Sequence, residues 1–222
     1  MKKAFCSWSG GKDSCLALNR ALKSGFEVRY LLTMFDESGG RSRSHAVPRK
    51  LIEAQADALD IELVTVNASW QNYEQVFIEQ LKKFQVEQIT HGIFGDIDLQ
   101  VHQDWEEKVC AAAEIKAVLP LWMENRLQII EEFWAENFKS VVVCVNENFL
   151  DAEFCGRIFD RNFVADLPES VDACGENGEF HTFVFDGKIF KNPINYKITE
   201  IYKHELQFPS GDVSKFAYAK LE

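Results

Sequence analysis

A chain of 222 residues with 46% hydrophobic and 13% aromatic side chains can build a full core, which excludes a disordered chain and fits one large domain or two small ones. The formal net charge of −11 disfavours nucleic acid as a partner, because such affinity comes from lysine and arginine neutralising phosphates. No run approaches eighteen apolar residues, and Met1-Lys2-Lys3 leads straight into patterned sequence without a signal segment, so no membrane partner and a cytoplasmic location are expected.

The first element is a short apolar strand, Ala4-Phe5-Cys6-Ser7-Trp8, followed by Ser9-Gly10-Gly11-Lys12-Asp13-Ser14 and then by apolar residues at helical spacing from Cys15 to Leu22. Two adjacent glycines at a strand-to-helix turn let the backbone approach a ligand, and the helix start offers unpaired N–H groups at the positive end of its dipole. This is an anion site suited to pyrophosphate. Ser9 and Ser14 supply hydroxyls, Lys12 a compact charge, and Asp13 a carboxylate that could hold Mg²⁺ or cap the helix. It is not a Walker A loop, which needs Gly and Ser/Thr where Cys6 and Asp13 stand, nor a Gly-x-Gly-x-x-Gly fingerprint.

The first helix runs to about Lys23 and a buried strand follows at 28–35. The polar segment from Asp36 to Ser44 leaves the C-terminal end of that strand, where it could lie over a nucleotide, with Met34 and Phe35 beside the base, or form a solvated loop. Pro48 opens a second helix carrying Leu51, Ile52, Gln55, Ala56 and Leu59, and 61–66 is the third strand. A third helix covers 73–84, and a fourth strand, Gln88–Phe94, ends in Gly95-Asp96-Ile97-Asp98. This alternation predicts a Rossmann-like doubly wound parallel sheet with strand four beside strand one. Gly95 and Asp96 then face the glycine loop across the switch point, Gly95 for close backbone approach and Asp96 for Mg²⁺ or the reacting group. A helix from Leu99 to Ala112 carries His102, read as a hydrogen-bonded helix residue and not as a metal ligand.

Pro120 marks a change, giving expected domains 1–120 and 121–222. A helix at 125–137, a strand at 141–145 and a helix-like stretch through Phe154, Ile158 and Phe159 come next. A hairpin is expected from Thr182–Phe185 and Ile189–Phe190 around Asp186-Gly187, with further strands at 196–207 and 216–221, so the second unit is a smaller α+β domain. Within it, Cys174-Gly175-Glu176-Asn177-Gly178-Glu179-Phe180-His181-Thr182 sets two glutamates and a histidine around two glycines. That composition suits a cleft; as an exposed turn it would be ordinary.

The Ser9–Ser14 stretch resembles the SGGxDS loop of the PP-loop ATP pyrophosphatases, which cleave ATP between the α and β phosphates. Together with Gly95-Asp96-Ile97, Gly156-Arg157, and Gly-Glu-Asn-Gly-Glu-Phe-His-Thr at 175–182, it resembles the diphthine–ammonia ligase family, in its bacterial-type variant, over nearly the whole chain. The resemblance implies an ATP- and Mg²⁺-dependent ligase that adenylylates a carboxylate, releases pyrophosphate and transfers ammonia, acting on diphthine of elongation factor 2. It implies a nucleotide site at Ser9, Gly10, Gly11, Lys12, Asp13 and Ser14 with Met34, Phe35 and Gly95, and metal ligands Asp13 and Asp96. Catalytic roles fall to Lys12, Asp13, Asp96, Glu176 and Glu179, and acceptor binding to Arg157, Glu176, Asn177, Gly178, Glu179 and His181. Asn177 and His181 depart from the form Gly-Glu-Gly-Gly-Glu-Phe/Tyr-Glu-Thr, which opens the alternative of another small carboxylate; a nucleotide-binding sensor without chemistry is the other alternative. The six cysteines show no Cys-x-x-Cys pairing, so the sulfur transfer of some PP-loop relatives is disfavoured. A homo-oligomer is compatible with the sequence.

Overall fold

The computed structural model describes residues 2–43, 45–207 and 213–222. Ser44, the end of the expected polar loop, lies outside them. Five parallel strands form the first sheet: β1 (Lys2–Ser7), β2 (Phe26–Phe35), β3 (Glu62–Asn67), β4 (His91–Ile93) and β5 (Lys116–Val118), in the order β3-β2-β1-β4-β5. The central strand is buried on both sides, and its period of two sorts its side chains. Ala4 and Cys6 pack with α1 (Lys12–Lys23) and α2 (Arg49–Leu59), whereas Phe5 packs on the other face with α3 (Tyr73–Val86) and α4 (Gln100–Ala111). The sheet is thus doubly wound, and its order reverses between β1 and β4, which puts the glycine turn and Gly95 at one switch point.

β4 is shorter than the expected Gln88–Phe94, because the chain leaving α3 spends Gln88 in a positive-φ turn and Ile89 N–H on the Phe84 carbonyl before pairing begins. β5 has only three residues and no sequence pattern announced it.

The second sheet is antiparallel, with order β7-β6-β9-β8, built from β6 (Lys139–Asn146), β7 (Phe180–Asp186), β8 (Ile198–Gln207) and β9 (Val213–Leu221). The expected hairpin between Thr182–Phe185 and Ile189–Phe190 does not form. β7 pairs instead with β6, matching Val141 to Phe183 and Val145 to Phe180. The physical reason is burial: Val141–Val145 is apolar on both faces and offers a longer partner than two residues after a turn. Beyond Gly187 the chain turns back to bury Phe190 and Ile194. The expected helix through Phe154–Phe159 is also replaced. A 3₁₀ turn, Ala152–Phe154, is broken at Gly156 (φ +87°), and Ile158 bridges to Val141.

α5 (Arg126–Ala135) joins the two parts. Ile129, Ile130 and Phe133 belong to the same core as Leu16 and Leu18 of α1 and Val141–Val143 of β6. Arg20 of α1 donates from Nη1 to the Pro120 carbonyl (2.8 Å) and from Nε to Glu132 of α5 (3.1 Å). No helix among the described residues is long and apolar enough to cross a membrane.

A single buried amide ties the sheets together. Gln55 of α2, fully buried, accepts from Trp8 Nε1 (2.9 Å) and donates to the carbonyls of Gly10 (3.0 Å) and Val184 (2.6 Å). Gln55→Ala deprives a buried indole N–H and two carbonyls of this partner at once. Urea unfolding is expected to show a loss of about 2–4 kcal/mol; a loss within experimental error would mean that water replaces the amide at no cost.

Candidate active site

The loop after β1 folds as its glycines require. Gly10 sits at φ +80°, and a Cβ there would come within 2.6 Å of Gln55 Oε1. Ser9 and Ser14 hydroxyls meet at 3.0 Å, Gly11 N–H donates to Ser9 Oγ (3.2 Å), and Ser14 Oγ donates to the Gly11 carbonyl (3.1 Å). Gly11 occupies the N-cap of α1, so Asp13 lies in the first helical turn and does not cap the helix. Lys12 is buried, and its ammonium donates to both Asp13 oxygens (2.8 and 2.6 Å). Burial works against that charge, but Asp13, Cys174 and Glu176 outweigh it and the Lys12 pKa rises.

The C-terminal sheet completes the loop. Val184 N–H donates to the Gly10 carbonyl (2.9 Å), and Lys12 N–H donates to Thr182 Oγ1 (3.0 Å). His45, from the segment before α2, donates from Nδ1 to the Thr182 carbonyl (2.8 Å) and stacks on His181 with ring centroids 4.6 Å apart. Burial lowers both imidazoles, His45 to about 4 and His181 well below its ordinary value, so both are neutral near pH 7.

Across the switch point, Gly95 presses on the helix start: a Cβ there would meet Ser14 N at 2.7 Å. Asp96 follows. Its Oδ1 lies 2.6 Å from His102 Nδ1, and although burial opposes its ionisation, the His102 contact holds its pKa below the usual value. Glu106, one helical turn beyond His102, is pushed up to about 11 by burial and by Asp96. Glu176 reaches over from the loop before β7 and accepts from Ile97 N–H (3.0 Å). Burial raises its carboxyl to about 7, with Asp13 and Asp96 adding to the rise and the Ile97 N–H opposing it. Asp96, His102 and Glu176 each offer one ligand atom, all within 4.8 Å of one another.

These groups line one cavity of about 740 Å³. It brings together Ser9, Lys12, Asp13 and Ser14 from the loop, Gly95 and Asp96 from the switch point, and Glu176, Asn177, Gly178 and His181 from the C-terminal segment. Tyr73, Phe94, Leu99 and Trp105 form an apolar wall. Other expected site residues lie elsewhere. Gly10 and Gly11 are buried in the loop's backing, and Met34 and Phe35 do not line the cavity; Phe35 is fully buried beneath the Arg49 guanidinium, 4.3 Å from the ring centroid. Arg157 pairs with Asp166 (2.6 Å) and lies over Phe154 and Phe163, outside the cavity lining. Glu179 turns inward: it is buried, and its carboxylate accepts from Asp172 N–H (3.2 Å), Asn177 N–H (2.9 Å) and Asn177 Nδ2 (3.0 Å), bracing the loop that carries Glu176.

Sequence reasoning missed His45, Glu106, Thr182 and Arg126, and set His102 aside. His102 and Glu106 stand four apart on α4 just after Asp96, a spacing that shares a helix face. Arg126 clamps the switch-point loop to the C-terminal loop, with Nε on Asp98 (2.8 Å) and Nη1 on Asp172 (2.9 Å).

The fold and this cavity define a doubly wound α/β protein with a glycine-rich loop at its switch point, closed by a second sheet. Residues 1–117 match the diphthamide synthase N-terminal domain, and residues 125–211 match the diphthamide synthase C-terminal domain. The chain belongs to the diphthamide synthase family. It is 23% identical to the human diphthine–ammonia ligase over 88% of this chain and 83% of that protein. It is likewise 23% identical to the fission yeast (Schizosaccharomyces pombe) diphthine–ammonia ligase over 92% of this chain, which spans 37% of that longer protein. Among solved structures, a predicted subunit of tRNA methyltransferase from Methanocaldococcus jannaschii overlaps 64% of this chain and 80% of its own, with a TM-score of 0.40 and 16% identity.

The raised Glu176 carboxyl has a signed consequence for stability. Between its ordinary value of 4.5 and about 7, the folded protein holds a proton that the unfolded chain has lost, so stability falls as pH rises through that window. Glu176→Gln abolishes this contribution. Relative to wild type, the variant is expected to gain about 1–2 kcal/mol above pH 7 and nothing below pH 4.5, the gain being less than the full shift because water reaches the side chain. Chemical denaturation across this range checks it, and a pH-independent difference would place Glu176 in a polar environment.

Proposed function

We propose that the protein is an ATP-dependent carboxylate–ammonia ligase of the diphthine–ammonia ligase type. The observation that carries the reading is that one cavity joins the glycine loop and Lys12 to the Glu176 segment, so an anion site and a carboxylate-rich site share one space. In the reaction, the acceptor's carboxylate oxygen displaces pyrophosphate from the α-phosphorus of ATP, and ammonia then displaces AMP from the acyl carbon. The names of the relatives support diphthine as acceptor and ammonia as nitrogen donor, with elongation factor 2 as the protein that carries diphthine.

The roles follow from position. The first turn of α1 and the Lys12 ammonium face the phosphates and stabilise the departing pyrophosphate. Asp13 and Asp96, both on the cavity wall, are hard oxygen donors that fit Mg²⁺, which would offset the phosphate charge when bound. Glu176, with a pKa near 7, is matched to take a proton from ammonium at neutral pH and so release the ammonia that attacks the acyl carbon. Glu179 acts through Glu176 by fixing the loop. The domain assignment follows the same division, with residues 1–120 handling ATP and 121–222 the acceptor.

A second reading keeps the chemistry and changes the acceptor to another small carboxylate. It is favoured by Asn177 and His181, which line the cavity at the two positions departing from the family form.

Chromatography of spent nucleotide, with ammonium and either diphthine-bearing elongation factor or a carboxylate panel, is expected to show AMP and pyrophosphate. ADP and phosphate would refute the mechanism, and bound but uncleaved ATP would make the protein a sensor. Lys12→Ala should weaken ATP affinity by a charge-assisted contact of about 1.5–3 kcal/mol; undiminished affinity and turnover would remove Lys12 from the phosphate site.

A further inference from the structure

We propose that Asp13 is a lock on Lys12 that makes the glycine loop selective for metal-complexed polyphosphate over the same anion free of metal. Lys12 donates to both Asp13 oxygens, at 2.8 and 2.6 Å, and its side chain is only 6% exposed. An ammonium has three N–H donors, so this one carboxylate takes two of them. The rings of Phe159 and Phe180 flank the group, each centroid 5.9 Å from Nζ. A phosphate that takes a full share of the ammonium must therefore displace Asp13.

The charges around the pair point the same way. Among the described residues lining the cavity, Lys12 is the one lysine or arginine, set against Asp13, Asp96, Glu106 and Glu176. Even with Glu106 protonated, its carboxyl pushed up to about 11, the two aspartates outnumber the lysine. His45 and His181 are kept neutral by burial, and His102 is already paired with Asp96. A bare polyphosphate meets repulsion here, and Lys12 cannot offset it while Asp13 holds its charge.

Asp13 is the partner that can move. Its side chain is 28% exposed, whereas Lys12 is buried and its backbone N–H is fixed on Thr182 Oγ1. A carboxylate is a hard oxygen donor suited to Mg²⁺. When Asp13 turns to an ion carried by the anion, the Lys12 donors pass to phosphate oxygens. When that ion leaves, Asp13 retakes Lys12 and the anion loses its anchor, which favours release of pyrophosphate. This regulation rests on reading the loop as the phosphate site of the proposed ligase, and it adds a condition on which form of the anion the loop accepts.

Calorimetric titration of the full chain with inorganic pyrophosphate, in excess EDTA and in millimolar Mg²⁺, tests the lock. Wild type is expected to bind at least about 30-fold more tightly with Mg²⁺ than in EDTA. Asp13→Asn should bind in EDTA about 10-fold or more tighter than wild type and lose most of its dependence on Mg²⁺, whereas loss of a simple metal ligand would leave the EDTA value unchanged. Adding Lys12→Ala should abolish the gain. Asp96→Asn removes the same charge from the cavity wall without touching Lys12, and its gain in EDTA should stay under about 3-fold. Asp13→Asn is isosteric, thermal melting checks its fold, and the Mg²⁺ dependence of wild type tests the lock without any variant. Equal wild-type affinity in EDTA and Mg²⁺, no gain in Asp13→Asn, a gain that survives Lys12→Ala, or an equal gain in Asp96→Asn would overturn it. AMP formation alongside any of these results removes the lock and leaves the ligase reading; the expected pyrophosphate binding without AMP formation removes the ligase reading and leaves the lock.

Discussion

The site depends on how a polar loop in the middle of a protein finds hydrogen-bond partners. Gly10 at φ +80° and the turn from β1 into α1 leave backbone groups that neither strand nor helix can pair, and the surrounding Trp8, Leu16 and Ile52 are apolar and buried. The partners come from the far end of the chain, on β7: Val184 N–H takes the Gly10 carbonyl, and Thr182 Oγ1 takes the Lys12 N–H. Gln55 adds the third tie, holding Trp8, Gly10 and Val184 at once. The glycine loop is therefore a joint product of both sheets, which is why one continuous core runs from α1 through α5 to β6.

That joint also sets the electrostatics. Because β7 lies against the loop, the segment just before it, Gly175–Gly178, is delivered to the same cavity as Lys12 and Asp13. Glu176 arrives beside Asp13 and Asp96, and burial, with a smaller push from those two carboxylates, raises its carboxyl to about 7. Lys12 is the buried cation that faces this group, and Asp13 already spans its ammonium. The cavity thus holds a buried cation close to an acidic wall, a separation of charge that core packing does not require.

Much of the frame was legible because it is local. Helical spacing and apolar strand runs in the first hundred residues fix alternation, and alternation with right-handed crossovers fixes the position of β4 beside β1. The glycine loop, Gly95-Asp96 and the Glu176 segment were legible as compositions that a core does not require. What failed was long-range or very short. β7 chooses β6, some forty residues back, over a nearby turn, and nothing in Thr182–Phe185 encodes that partner. Lys116–Val118 is too short to carry a period. Gln55 looked like one more position on an amphipathic helix, although it is the polar pivot of the interior, and His45 sits in a polar stretch whose partners are elsewhere in the chain.

The two departures from the family form acquire physical meaning at this point. Asn177 gives Glu179 a side-chain N–H as well as a backbone one, so the brace on the Glu176 loop is tighter than a glycine at 177 could make it. His181 stacks on His45 close enough to Lys12 that the buried cation helps keep both rings neutral. A glutamate at 181 would add a third carboxylate to Asp13 and Glu176 around Lys12. With a neutral ring there, the Lys12 charge is left to Asp13, Glu176 and an incoming anion. Both departures therefore act on how the cavity holds charge, one through the position of Glu176 and the other through the anions that surround Lys12, and neither disturbs the glycine loop itself. The residues that distinguish this chain lie on the wall of the cavity contributed by the C-terminal segment, which shares that cavity with Ser9, Lys12, Asp13 and Ser14 of the glycine loop.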